Sequence, residues 1–160
     1  MASARVDQVL QIGIVVRDAE ATAERYRELL GIDEWNFNEV DTERGLGKGF
    51  RTADGPVDVK ALIAWTNLGS VELELIEPRD RDSVYARFLR ERGPGVHHVM
   101  FSTPDFDGCS QALQEAGLAL AATGEYQETR FQLLDGREEL GLILEIASGG
   151  PLVPDRRKPS

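Results

Sequence analysis

The sequence predicts an α+β fold in which one strand–helix–strands unit occurs twice. Three observations carry that prediction. Strand-like and helix-like runs follow one another in an order that repeats after a short middle helix. The start of the second copy can be laid on the start of the first. In each copy, one acidic residue interrupts an otherwise apolar strand at the matching place.

The first unit opens with QVLQIGIVV (8–16), a run of branched residues that reads as a strand. RDAEATAERYRELLG follows, with Ala19, Ala23, Tyr26, Leu29 and Leu30 at helical spacing, Asp18 placed to cap the start and Gly31 to end it. EWNFNEV (34–40) alternates as a short strand. Residues 41–56 are glycine-rich and aperiodic, which predicts a long loop: a flexible lid whose Lys48 and Arg51 could touch an anionic ligand. VDVKALIAWTN (57–67) and SVELELIEP (70–78) read as a hairpin turning near Asn67–Gly69. SVYARFLRERG (83–93) is a short helix with Val84, Tyr85, Phe88 and Leu89 on one face.

The second unit begins with strand GVHHVMFSTP (95–104), continues as a helix over 105–117 ended by Gly117, and then holds one or two strands in 118–135 and a last strand, GLILEIAS (141–148). GGPLVPDRRKPS carries three prolines and no periodicity, so it reads as a mobile end. The expected organisation is a single domain over 8–148: module one 8–78, linker helix 83–92, module two 95–148, and a flexible tail 149–160.

When QIGIVVRD is laid over HVMFSTPD, Gln11 falls on His98 and Asp18 on Asp105. When LELIE is laid over ILEIA, Glu74 falls on Glu145. Gln11 and Glu74 are 63 residues apart and His98 and Glu145 are 47 apart; an insertion of the size of 41–56 accounts for the difference. Strand alternation puts Glu72 and Glu74 on one face and Leu73 and Leu75 on the other, and sets Glu145 opposite Leu144 and Ile146. The leucines would pack on helices while the acids enter a second compartment. A carboxylate there must be paired, protonated or bound to a cation. Taken singly, each of these residues reads as surface or structure. Together under one alignment, Gln11, Glu74, His98 and Glu145 offer three oxygens and an imidazole, a set suited to a divalent metal with positions left open. His97, adjacent to His98, is expected to face the helix side or the rim.

Composition narrows the function classes. The chain has 160 residues, 18 Lys+Arg against 28 Asp+Glu and a formal net charge of −10, a poor match for nucleic acid or anionic lipid. Its one cysteine, Cys109, excludes an intramolecular disulfide. No apolar run approaches the roughly 20 residues that span a bilayer, and the N-terminal stretch lacks the apolar region of a signal peptide. A cytoplasmic protein with no membrane or nucleic-acid partner is expected.

Over roughly 8–148, the chain resembles the vicinal oxygen chelate superfamily, which also goes by glyoxalase/bleomycin resistance/dioxygenase. Within it, VELELIEPRDRDSVYARFLRERGPGVHHVMFSTPD is similar to the corresponding stretch of methylmalonyl-CoA epimerases, and GLILEI to their closing strand. The resemblance implies two tandem βαβββ modules forming a curved mixed sheet around a central metal cleft, and a homodimer. It also implies one divalent ion (cobalt, nickel, manganese, zinc or magnesium) held by Gln11, Glu74, His98 and Glu145. Gln11 stands where the epimerases usually carry His, and the four residues are similar to the ligand set of some glyoxalase I enzymes. The expected activity is proton transfer α to a carbonyl, with Glu145 and Glu74 as bases, on a methylmalonyl-CoA-like acyl thioester. The alternatives are a glyoxalase I-like lyase, an iron-dependent ring-cleaving dioxygenase and a non-catalytic small-molecule binding protein.

Overall fold

A computed structural model describes residues 4–158. In chain order its elements are β1 (Val9–Val15), α1 (Ala19–Leu30), β2 (Trp35–Asp41), a 3₁₀ turn (Thr42–Arg44), β3 (Lys48–Thr52), β4 (Gly55–Pro56), β5 (Lys60–Leu68), β6 (Val71–Pro78), α2 (Val84–Arg92), β7 (Gly95–Phe101), α3 (Phe106–Glu115), β8 (Ala119–Tyr126), β9 (Thr129–Gly136), α4 (Arg137–Leu140), β10 (Leu142–Ser148) and β11 (Arg156–Lys158). The described strands form one curled mixed sheet in the order β11-β2-β5-β6-β1-β7-β10-β9-β8-β3-β4.

The duplication is visible in that order. β1 runs parallel to β6 and β7 parallel to β10, while β1 and β7 meet antiparallel in the middle. β2-β5-β6-β1 is therefore mirrored by β8-β9-β10-β7, as two α+β units joined back to back. Helix entry is fixed in the same way in both. Asp18 accepts from the Ala21 N–H at 2.8 Å, and Asp105 from the Gly108 N–H at 3.0 Å. α1 buries Ala19 and Ala23 against Leu75, and α3 buries Phe106 and Cys109 against Leu144 and Ile146. The apolar faces of β6 and β10 thus go to the helices, which leaves Glu72, Glu74 and Glu145 on the inner face. Leu29 and Leu30 depart from the expected helix face, being 66% and 67% exposed. The core under α1 ends where Tyr26 meets Trp35, with ring centroids 5.7 Å apart, so the last turn has nothing to cover.

Two segments expected to be irregular are strands. Residues 41–56 are not a free lid. After the 3₁₀ turn they form β3 and β4, and β3 pairs with β8 of the other module. Lys48 is drawn outward to Glu125, and it is Phe50 that turns in, 8% exposed. The tail is not a free end either. β11 pairs antiparallel with β2, Asp155 accepts from the Glu39 N–H at 2.7 Å, and Gln127 both donates to and accepts from Val153 at 2.8 Å. Each module therefore gives a strand to the other's open edge. Residues 159 and 160 of the tail lie outside the described residues. Among the described residues, no helix is long and apolar enough to cross a membrane.

Asn38, on β2 and fully buried, ties the tail to the sheet: its Nδ2 donates to the Val153 carbonyl at 2.8 Å and its Oδ1 accepts from Trp65 Nε1 at 2.8 Å. Asn38→Ala strands the indole N–H and a carbonyl, and each buried orphan costs about 1–3 kcal/mol. The expected outcome is an unfolding midpoint lowered by several degrees in a thermal melt; an unchanged midpoint would show that the tail contributes nothing to stability.

Candidate active site

The curl of the sheet leaves a cavity of about 350 Å³ on its inner face, between the two modules. Gln11, Glu74 and Glu145, three of the four residues selected by the repeat, line it, and the buried His98 joins them. They form one chain of contacts across β6, β1, β7 and β10: Glu74 Oε2 accepts from Gln11 Nε2 at 2.8 Å, Gln11 Oε1 lies 3.1 Å from His98 Nε2, and His98 Nε2 lies 2.7 Å from Glu145 Oε2. Gln11, His98 and Glu145 are 5%, 1% and 8% exposed.

Gln11 is held in one orientation. Its amide nitrogen donates to Glu72 at 2.7 Å as well as to Glu74, so its carbonyl must turn toward His98. Sequence alternation put Glu72 on this face but gave it no task; holding the amide is that task. The imidazole of His98 lies across β1 at Gly13, where a Cβ would stand 2.1 Å from His98 Cε1 and 2.3 Å from Nε2. Gly13 is therefore part of the site, and its signal was present: a glycine inside a strand marks a close approach.

The two histidines do not follow simple alternation. The β1–β7 register passes from Gly13 opposite His98 to Ile14 opposite Val96, so His97 is the extra residue of a bulge. It packs toward α2, as expected, with its ring 5.1 Å from those of Tyr85 and Phe88. The bulge keeps its Nδ1 3.0 Å from Nδ1 of His98. Burial pushes His97 down to about 3, with His98 and Arg137 acting in the same direction, so it is neutral and able to accept the Nδ1 proton of His98. That leaves Nε2 of His98 for Glu145 or a cation.

The charges are crowded. Burial pushes the Glu74 carboxyl up to about 8, with Glu145 and Glu72 opposing its ionisation and His98 favouring it. Burial also raises Glu72, against its bond from Gln11. For His98, burial pulls downward, but Glu145 and Glu74 outweigh it and hold the imidazole above its usual value. Burial, then Glu145 and Glu74, keep the Tyr85 phenol protonated well beyond its usual range. Tyr85 lines the cavity; the sequence placed it only on a packing face of α2, and the signal is the polar tip of a residue set among apolar ones.

Among the described residues, no three His, Cys, Asp or Glu side chains already converge as a metal cluster, since the Gln11 amide stands between Glu74 and His98. The donors nevertheless suit a divalent ion. Gln11 Oε1 and Glu145 Oε2 both lie close to His98 Nε2, and Glu145 Oε2 is buried with no hydrogen-bond partner in good geometry. A cation beside them would satisfy that oxygen and offset the crowding at Glu74.

Without a metal, the crowding sets a pH dependence. Glu74 moves from an ordinary 4.5 to about 8 on folding, so over that range the folded state keeps a proton the unfolded chain has lost, and stability falls as pH rises. The raised His98, ordinarily 6.5, acts with the same sign. His97 acts oppositely, but only between about 3 and 6.5. The metal-free protein is therefore expected to lose stability from pH 6.5 to 8 in urea titrations with chelator. A denaturation midpoint that rises over that interval would contradict the assignment.

The profile of the Glyoxalase/Bleomycin resistance protein/Dioxygenase superfamily matches residues 10–132. The chain belongs to that superfamily. Its paired α+β modules and curled sheet are the vicinal oxygen chelate fold. An ethylmalonyl-CoA/methylmalonyl-CoA epimerase of Cereibacter sphaeroides is 29% identical over 122 residues, 75% of this chain and 78% of that one. YqjC of Bacillus subtilis, an uncharacterized protein, is 31% identical over 107 residues, 65% of this chain and 76% of that one. Among solved structures, a methylmalonyl-CoA epimerase of Streptomyces coelicolor in complex with 2-nitronate-propionyl-CoA superposes with a TM-score of 0.64 at 25% identity, covering 92% of this chain and all of that one.

Proposed function

We propose that the protein is a metal-dependent isomerase or epimerase that moves a proton at the carbon α to the carbonyl of an acyl-CoA thioester. The observation that carries this reading is the unbroken Glu74–Gln11–His98–Glu145 chain, with one carboxylate from each module at its ends. The likeness to methylmalonyl-CoA epimerases supports it. Gln11, Glu74, His98 and Glu145 would hold the ion. A bound divalent ion would polarise the carbonyl and make the α-proton more acidic.

Glu145 takes the α-proton: its carboxylate lines the cavity, with Oε2 beside His98 Nε2 at 2.7 Å. Glu74 lies at the other end of the chain, on the opposite module, so a substrate between them meets a carboxyl group on each face. One removes the proton and the other returns it, which inverts the carbon. Gln11, pinned by Glu72 and Glu74, presents a fixed carbonyl oxygen, and His97 fixes the tautomer of His98. The apolar walls keep water from quenching the carbanion.

The test is loss of optical purity of a single-enantiomer 2-methyl-branched acyl-CoA, followed by chiral chromatography with added divalent metal and again with chelator. Racemisation with metal and none with chelator is expected; retained optical purity in both contradicts the reading.

A further inference from the structure

A substrate oxygen that enters the cavity needs a hydrogen-bond donor, and most donors among the lining side chains are engaged. Gln11 Nε2 donates to Glu72 and Glu74, Asn38 Nδ2 to the Val153 carbonyl, Tyr126 to the Glu39 carbonyl at 3.0 Å and Thr129 to the Gly150 carbonyl at 2.8 Å. The carboxyl groups are assigned to the ion and the proton. Among the described residues, two lining hydroxyls make no hydrogen bond, those of Tyr85 and Ser148. Ser148 ends β10, where the chain turns into the tail. Tyr85 is placed more firmly. It is the second residue of α2, whose start is fixed by Ser83, 2% exposed: Ser83 accepts from the Ala86 N–H at 3.1 Å, and Asp80 accepts from the Ser83 N–H at 2.8 Å. Its ring lies 5.1 Å from that of His97 and 6.5 Å from that of His98, and packs on the apolar cluster that includes Val59, Ala61 and Ile76. Glu145 and Glu74 are both near enough to help hold the phenol proton on. The hydroxyl thus stands by the carboxylates of both modules, set in apolar surroundings, as a donor without an acceptor. Packing alone would be met by a phenylalanine; a polar tip left unpaired in an apolar wall costs free energy until something accepts from it.

We propose that Tyr85 is a catalytic residue of this site, its hydroxyl donating a hydrogen bond to the thioester oxygen that becomes negative when the α-proton leaves. This rests on the proton-transfer reading above. The α C–H bond breaks, the proton passes to Glu145, and the electron pair moves onto the thioester oxygen. There it strengthens the bond from Tyr85 without taking the phenol proton. Reprotonation of the carbon reverses the shift, so no atom or electron is gained or lost. The oxygen has more than one lone pair, so the phenol does not compete with the ion. A donor held in place before the charge develops stabilises it without having to reorganise at that moment.

The experiment compares the full-length parent with Tyr85→Phe, which keeps the ring and drops only the unpaired oxygen, so its thermal midpoint is expected to match the parent's. Acetoacetyl-CoA is the probe. Its enolate absorbs in the ultraviolet, and the pH at which the bound thioester ionises is read with divalent metal present. Tyr85→Phe is expected to raise that pH by about one unit, a tenfold change in ionisation. It is also expected to slow α-proton exchange of a 2-methyl-branched acyl-CoA in heavy water by about 10²-fold, the lower end of what loss of one such donor costs, with little change in binding of the thioester. An unchanged ionisation pH in Tyr85→Phe overturns the proposal. So does a shift produced by Ser148→Ala in its place, or failure of the parent to bind acetoacetyl-CoA. A raised ionisation pH in Tyr85→Phe, with no α-proton exchange by the parent in the branched thioester, upholds Tyr85 as the donor and overturns the proton-transfer reading.

Discussion

Glu145→Gln is expected to lose about 10²–10⁴-fold in turnover, the usual contribution of a general base, while the protein still folds. Glutamine keeps the shape of the side chain and one oxygen donor but cannot take a proton. Its amide also removes the buried carboxylate that sits 2.7 Å from His98 Nε2, so divalent-metal affinity should fall as well. Elemental analysis and a thermal melt separate the effects: weaker metal retention, a folded protein, and a rate that excess metal does not restore. Glu74→Gln is the companion variant. It should cost as much if both carboxylates carry protons and less if Glu74 only holds the ion. Full activity of Glu145→Gln at saturating metal would remove Glu145 from the chemistry.

Gly13→Ala is expected to be strongly damaging although it replaces no polar side chain. The added methyl would fall 2.1 Å from His98 Cε1, closer than atoms approach, and the ring is buried, 1% exposed. Overpacking of this kind typically costs about 1–3 kcal/mol. Turning the imidazole away also breaks its contacts with both Gln11 and Glu145. Loss of about 10–100-fold in divalent-ion affinity is expected, the scale seen when the groups that orient metal ligands are removed. Isothermal titration of the metal and a melt of the metal-free protein check the two effects separately. A variant that binds metal like the parent would show that His98 does not need the position it holds over β1.

The residues of the site were legible in the sequence because duplication makes a comparison possible within one chain. Gln11 matched His98 and Glu74 matched Glu145, and strand alternation sent Glu72, Glu74 and Glu145 to the face away from the helices. The caps at Asp18 and Asp105 were equally plain, being local signals. What the sequence hid is non-local. β3 lies in a glycine-rich segment with no periodicity of its own, and it is a strand because β8 offers an open edge. β11 follows two prolines, Pro151 and Pro154, and pairs only because β2 is likewise open. These two strands place Phe50 and the chain at Gly150–Leu152 around the cavity, so the inner wall could not be read from pattern alone. The bulge at His97 was hidden for a similar reason: it depends on how β7 registers against β1, not on the His-His pair. Gly13 was visible but looked like any glycine until the imidazole across it was placed.

Movement of the α-proton by Glu145 is read directly by exchange with solvent. The metal-loaded protein is incubated in heavy water with 2-substituted acyl thioesters, charged and uncharged, and the mass of each is followed with time. One deuterium is expected to enter the α-carbon of at least one of them, at a rate that Glu145→Gln reduces by about 10²–10⁴-fold. No deuterium in any thioester, or equal rates for the parent and Glu145→Gln, would contradict it.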